Sequence, residues 1–519
     1  MSDEFDDHPT DEKLARDAKK ILGDKVVQFP EKKEHKEDDP ELSYIAEMNK
    51  YFATVRKDLV FKVIDESIQG EVAFLNKKEF LDMRAHDKLQ IISTGTNGDI
   101  KSKFEPKAKA WLEHPKHRLY RRTIFDLRRP RDPNVWGPLV DYNLFAGFGV
   151  QPKKGQCYKT LQYIRNVLCS GNKEQYRWFM AWTAHIFQRA HEKPETAVAI
   201  QGEEEGTGKS FFPWILSKLL DGREYSNTHK LYFKASNAKM ITGDFSGHLE
   251  HCVLLHAEEA FRAESDREDS IIKDLISGEE IGINAKNIEA KLSKSYLRLI
   301  LTGNPPHIVK AGRFARRFLV LRISSKHVLD TEYFKTLSDE LYNGGFEALM
   351  HYLMHYPIHK FNLRVVLKTQ ALLDQKIESM KGEERFWYNL LQQGEIPILG
   401  ENQGKWYGNN IKEFIVIKYK LFNMFQRYMN KRVEKNRSDE ISFGARFAKF
   451  FPIVNDKQEI QNDRDGKPMK YLKTDKVQET NCYIIPPLDM CRNLFDAYMG
   501  QKCEWEHIEH WSDKQYGDA

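Results

Sequence analysis

AVAIQGEEEGTGKSFFPWILSKLL, residues 197–220, is the stretch on which the fold turns. It opens on a short run of small and β-branched residues and stops at Gly202. It then passes through Gly206, Thr207, Gly208, Lys209 and Ser210, and takes up helical apolar spacing from Phe211. A strand, a glycine-bearing turn, Lys-Ser and a helix follow in the order that lets backbone N–H groups wrap a phosphate at a helix N-terminus. Lys209 would neutralise β/γ-phosphate charge and the Ser210 hydroxyl would hold Mg2+. The expected nucleotide-binding residues are therefore Gly202, Gly206, Thr207, Gly208, Lys209, Ser210 and Phe211. One departure stands out: the usual G-x-x-x-x-G-K-S spacing puts glycine at 203, where this chain has Glu203, with Gly202 one residue early. Glu203, Glu204 and Glu205 would repel a triphosphate unless they point outwards.

Working outward, such a cradle needs an acidic partner for the metal and the attacking water. HCVLLHAEEAF (251–261) ends an apolar run in Glu258 and Glu259, about 50 residues after the cradle. Glu258 is the expected metal carboxylate, and Glu259 the residue that orients and polarises water. LRLILTGNPPH (297–307) brings Asn304 to the tip of another apolar run, suited to hold the water or sense γ-phosphate. GRFARRFLVLRIS (312–324) places Arg313, Arg316 and Arg317 before a further run, with Arg316 or Arg317 expected to reach a neighbouring subunit's γ-phosphate. Taken alone, each has a plainer reading: a solvated strand end, a turn asparagine before prolines, surface arginines. Their order and spacing give them meaning together. The runs at 196–202, 253–257, 296–304 and 318–324, divided by partly helical stretches, imply an α/β layer fold with a largely parallel sheet.

The 519 residues, 40% hydrophobic, suffice for two or three domains. The formal charge is +5, but residues 1–42 carry 14 Asp/Glu against 8 Lys/Arg, which leaves +11 for the rest, a body able to face phosphate. The acidic stretch reads as a mostly disordered tail, with a short helix possible near residues 12–22. The six cysteines show no C-x-x-C spacing, so neither a zinc site nor a disulfide framework is expected. No apolar run reaches the ~18 residues of a membrane span, and a soluble protein of the (host) cytoplasm is expected. The Arg-, Pro- and aromatic-rich segment 110–150 reads as a basic surface-hugging stretch that touches DNA or packs between domains. Beyond residue 345 the pattern turns helical, with a helix expected over 411–430 and another at 442–451. The Asp465-Gly466 turn that follows suggests a β-wing, and hence a small winged-helix-like DNA-binding module.

The order of these four motifs resembles that of the superfamily 3 helicases of the AAA+ class, above all the helicase part of phage and plasmid primase–helicases. The resemblance takes in ITGDFSGHLEHCVLLHAEEAF (241–261) and IIKDLISGEEIGINAKNIEAKLSK (271–294), the latter like the family segment whose hairpin projects into a ring channel. It also covers HRLYRRTIFDLRRP through YNLFAGFGVQP, and the closing PPLDMCRNLFDAYMGQKCEW (486–505). It implies an AAA+ core at 171–345, a helical, helicase-associated N-terminal module at 43–170, a helical connector at 346–404 and the C-terminal module at 405–519. It further implies ATP and Mg2+ as cofactors, a homo-hexamer, 3′-to-5′ movement on single-stranded or forked DNA, and DNA contacts from Lys286, with Asn287, Lys291 and Lys294 beside it. Residues 1–42 are too few for a primase–polymerase domain, so a separate primase or polymerase is the expected partner. Two other readings compete: an origin-binding initiator using ATP to assemble on duplex DNA, and an ATPase acting on proteins.

Overall fold

A computed structural model describes residues 40–57, 60–68, 71–94, 100–222, 230–243, 246–258, 266–284, 290–304, 308, 316–396, 414–431, 439–452, 472–477 and 480–506. Residues 1–39 of the expected acidic tail, Arg313, and the Asp465-Gly466 turn lie outside them. The chain divides into two compact units, one of residues 1–122 with 136–140, the other of 123–135 with 141–519. Residues 43–170 are thus shared between them, and the helical N-terminal module expected there is corrected, since the first unit is built on a sheet as well as helices.

In the first unit, helix Pro40–Tyr51 leads into a four-stranded sheet ordered Ala73–Leu75, Val60–Asp65, Phe52–Lys57, Leu119–Tyr120. Helices Lys77–Met83 and Lys107–Glu113 add Phe80 and Trp111 to a core with Ile45, Met48, Phe52 and Val63. Arg118, from the basic stretch, is buried; its guanidinium meets the Glu66 carboxylate at 2.5 Å and donates to the Tyr120 hydroxyl. In the second unit Arg131 lies 4.4 Å from the centre of the Tyr142 ring. These two of the stretch's six arginines serve packing.

The second unit is built on a five-stranded sheet, whose strands we number β1 (Ala197–Gln201), β2 (Tyr232–Ala235), β3 (Leu254–Glu258), β4 (Arg298–Gly303) and β5 (Phe318–Arg322). The order is β2-β3-β4-β1-β5 and every pairing is parallel. Alternate residues explain the unbroken apolar runs. Val198, Ile200, Leu254, Ile300, Leu319 and Leu321 enter one core; Ala197, Ala199, Leu255, Leu299, Leu301 and Val320 enter another on the opposite face. Burying each large side chain is worth about 1.5–3 kcal/mol. Helix α1 (Phe211–Asp221) follows β1 and helix α2 (Asp266–Ser277) follows β3. After α2, Glu280–Ile283 and Lys291–Lys294 pair antiparallel as a hairpin. β2 went unread in the sequence: its YFKA has only Ala235 buried, so no apolar run betrays it.

The C-terminal part runs helix Gly382–Gln393, strand Phe414–Ile417, helices Lys418–Lys431 and Glu440–Phe447, strands Lys473–Val477 and Thr480–Ile485, and helix Leu488–Met499. The helix expected over 411–430 is corrected: FIVI (414–417) pairs antiparallel with Cys482–Ile485, and the helix begins only at Lys418. β-branched residues with a free partner strand favour the sheet. Among the described residues no helix is long and apolar enough to cross a membrane, all six cysteines are buried and free, and no cluster of three metal-ligating side chains occurs.

Candidate nucleotide-binding site

The loop 202–210 leaves the carboxyl end of β1, an interior strand flanked by β4 and β5, where open parallel sheets bind ligands. Its glycines are placed by geometry. Gly206 and Gly208 sit at φ +71° and +88°, and a Cβ on Gly208 would lie 2.4 Å from the Phe334 ring. A Cβ on Gly202 would meet the Thr207 hydroxyl at 2.8 Å and Ile323 at 3.0 Å. Glu203 lacks the positive φ of Gly206 and Gly208, and Glu203, Glu204 and Glu205 are all exposed, with Glu203 turned to Arg322 at 4.0 Å. The departure at 203 therefore puts its charge in solvent and asks nothing of the backbone that only glycine can give.

Four strands bring polar side chains to this end of the sheet. Lys209, buried to 8% exposure, donates from Nζ to Oδ1 of Asn304, just past β4. Ser210 donates from Oγ to Oε1 of Glu258 at 2.5 Å, at the tip of β3. The other Glu258 oxygen accepts from Nζ of Lys234 on β2, a residue passed over in the sequence because β2 itself was. Burial raises the Glu258 carboxyl, but Lys234 and Ser210 outweigh it and hold the group below the usual carboxylate range. One step down the strands, His256 shares hydrogen bonds of 2.8 Å with the Tyr232 hydroxyl and the Thr302 hydroxyl, stitching β2, β3 and β4. Burial lowers its pKa to about 4, so the ring is neutral.

The cradle is braced from behind. The Tyr163 hydroxyl donates to the Gly208 carbonyl at 2.9 Å, and the Leu329 N–H donates to the Gly206 carbonyl at 3.1 Å. The Phe211 N–H is bonded to the Gly208 carbonyl, and its ring packs with Tyr163, Trp214 and Phe334. That ring is a brace for the loop. Thr207 Oγ1 is buried without a protein partner. The unpartnered hydroxyl, the buried ammonium of Lys209 and the hard oxygens of Ser210 and Glu258 fit a nucleoside triphosphate with Mg2+.

The remaining expected residues are distributed as follows. Glu259, Lys286 and Asn287 lie outside the described residues. Arg316 is exposed and Arg317 partly so, both just before β5 and hence at the end of the sheet opposite Lys209. Lys291 pairs with Glu250 at 2.8 Å, and Lys294 sits 5.2 Å from the centre of the Tyr296 ring.

A family model described as "Family of unknown function (DUF5906)" matches residues 200–317, the span from the cradle to the arginines. No curated protein matches the chain. Among solved structures, the A form apo structure of the NrS-1 C terminal region matches at TM-score 0.55 and 15% identity, over 87% of this chain and all of that one. A further apo structure of that region matches at TM-score 0.51 and 15% identity, and another A form at 0.53 and 14%, with the same coverage. The chain thus has the fold of the NrS-1 C terminal region.

Proposed function

We propose that the chain is an ATP-hydrolysing DNA helicase of phage or mobile-element type, assembling as a ring that moves along single-stranded DNA. The observation that carries this is the convergence of Lys209, Asn304, Ser210 and Glu258 at the carboxyl end of one parallel sheet. Lys209 and the backbone of 206–210 hold the phosphates. Ser210 and Glu258 hold Mg2+, which when bound neutralises charge on the β- and γ-phosphates. Asn304 gives up its contact with Lys209 to position water or the γ-phosphate, and Glu259 polarises that water. Arg316 or Arg317 acts on the adjacent subunit, since both sit at the far end of their own sheet. The hairpin after α2, with Lys286 and Asn287 beyond its described strands and Lys291 and Lys294 on one of them, carries the DNA contact. Phosphate contacts of this kind weaken steeply with salt.

The test is ATP turnover with and without single-stranded DNA, read beside mass at several protein concentrations. DNA-stimulated turnover by an assembled ring is expected; turnover in Lys209→Ala equal to that of the unaltered protein would remove the site. A second reading, an origin-binding initiator, is favoured by the C-terminal part. Its helix-strand-helix-helix-strand-strand order, with the sheet ordered 414–417, 480–485, 473–477, suits a winged-helix-like module on duplex DNA. Sequence-specific footprinting without strand separation would select it.

A further inference from the structure

Lys234 stands where β2 ends, opposite His256 in the parallel ladder with β3, and its ammonium reaches past that residue to Glu258. The second oxygen of the same carboxylate is taken by the Ser210 hydroxyl. The two side chains best suited to a hard divalent ion are therefore already in contact with each other and with a monovalent cation on a flexible stem. Among the described residues Glu258 is the acidic partner of Lys234. The lysine side chain is 49% exposed, so packing does not fix it there; charge does.

We propose that Lys234 is a resident counter-ion for the metal carboxylate, which holds Glu258 until Mg2+ arrives with nucleotide and is displaced by it. This rests on the reading of Ser210 and Glu258 as metal ligands. A divalent ion offered one carboxylate and one hydroxyl must first dislodge the ammonium, and alone it gains little by doing so. The same ion brought by a triphosphate adds phosphate oxygens to its shell, and the exchange becomes favourable. Lysine suits the task better than arginine, being a compact point charge on a mobile stem that leaves without breaking a bidentate fork. The consequence is selectivity for the metal–nucleotide complex over free metal. Because the pair is half in water, the barrier it sets is modest, roughly 3- to 10-fold in metal affinity.

The experiment measures Mn2+ binding to the full, nucleotide-free chain by loss of the free-ion electron paramagnetic resonance signal. Lys234→Met and Lys234→Gln are each compared with the unaltered chain, with Lys234→Arg, and with Glu258→Gln in both backgrounds. The two neutral variants should bind Mn2+ about 3- to 10-fold more tightly, and Lys234→Arg no more tightly than the unaltered chain. In steady-state turnover the half-saturating Mg2+ concentration should fall in the same neutral variants. Mn2+ affinity unchanged or weakened in whichever neutral variant folds, with binding still lost in Glu258→Gln, overturns the counter-ion and leaves the site intact. Mn2+ binding that survives Glu258→Gln instead overturns the assignment of the metal carboxylate, and with it the footing of this proposal.

Discussion

Lys209 is a charged side chain drawn almost wholly out of water, its ammonium donating to the amide oxygen of Asn304. An ammonium in that position gains most when an anion replaces the amide. Lys209→Ala should therefore lose nucleotide affinity by at least about tenfold, the equivalent of ~1.4 kcal/mol, as read by fluorescence of a labelled nucleotide. At 203 the expectation is the reverse. Glu203→Gly restores the usual spacing but should leave nucleotide affinity within about twofold while lowering stability by ~0.5–1 kcal/mol, because added chain freedom is its main effect. Gly208→Ala forces a Cβ onto the Phe334 ring at positive φ, and should cost about 1–3 kcal/mol in denaturant unfolding. The cradle was legible because its chemistry needs fixed residue types at fixed spacing. Lys234 was not, since one lysine on a short, half-exposed strand carries no pattern until the sheet places it beside Glu258.

Among the elements, the hairpin after α2 depends on a residue far back in the chain. Lys193, just before β1, donates from Nζ to the carbonyls of Leu275 and Gly278 and to the Ser295 hydroxyl, at 2.7, 2.7 and 3.1 Å. It ties the end of α2 to the residue that leaves the hairpin. Lys193→Met should raise amide exchange in 280–294 before it touches β1 or α1, and lower stability by roughly 1–3 kcal/mol. Four strands of the main sheet, β1, β3, β4 and β5, were readable from their apolar runs because both faces are buried, whereas β2 was not. The strand at 414–417 was not, because it precedes a true helix without a break and its partner lies some 65 residues later, at Cys482–Ile485. Period alone cannot separate a four-residue apolar strand from the first turn of a helix.

For the molecule as a whole, stability should fall in acid for an assignable reason. Burial lowers the His185 pKa to about 3, with Arg298 adding to the effect, and lowers that of His256 to about 4. Both rings are neutral in the fold, while the unfolded chain takes up protons near the ordinary value of about 6.5. The unfolded state thus binds more protons below that pH, and stability is lost as pH falls from about 6.5 towards the folded values. Each histidine should cost about 2–3 kcal/mol between pH 6.5 and 4.5, measurable as a falling urea midpoint that flattens in His256→Gln. Assembly has its own test. Arg316→Ala/Arg317→Ala subunits keep their cradle and Lys209→Ala subunits keep their arginines, so a mixture should hydrolyse more ATP than the sum of the two alone. Equal rates would place the arginines outside the reaction.

The interleaved strand order also bears on how the chain is made. β1 takes its place between β4 and β5, both of which lie about a hundred residues further on. While a ribosome is still short of Arg322, the cradle strand has no neighbour on that side, and before Gly303 emerges it has none at all. A nascent chain therefore holds Lys209 long before Asn304 can meet it, and a product cut short by a stop codon in the 280s would carry the glycine-bearing loop without the strand that packs beside it. Long-range parallel pairing of this kind forms slowly and late, so the contact between Lys209 and Asn304 is made only near the end of translation of the core.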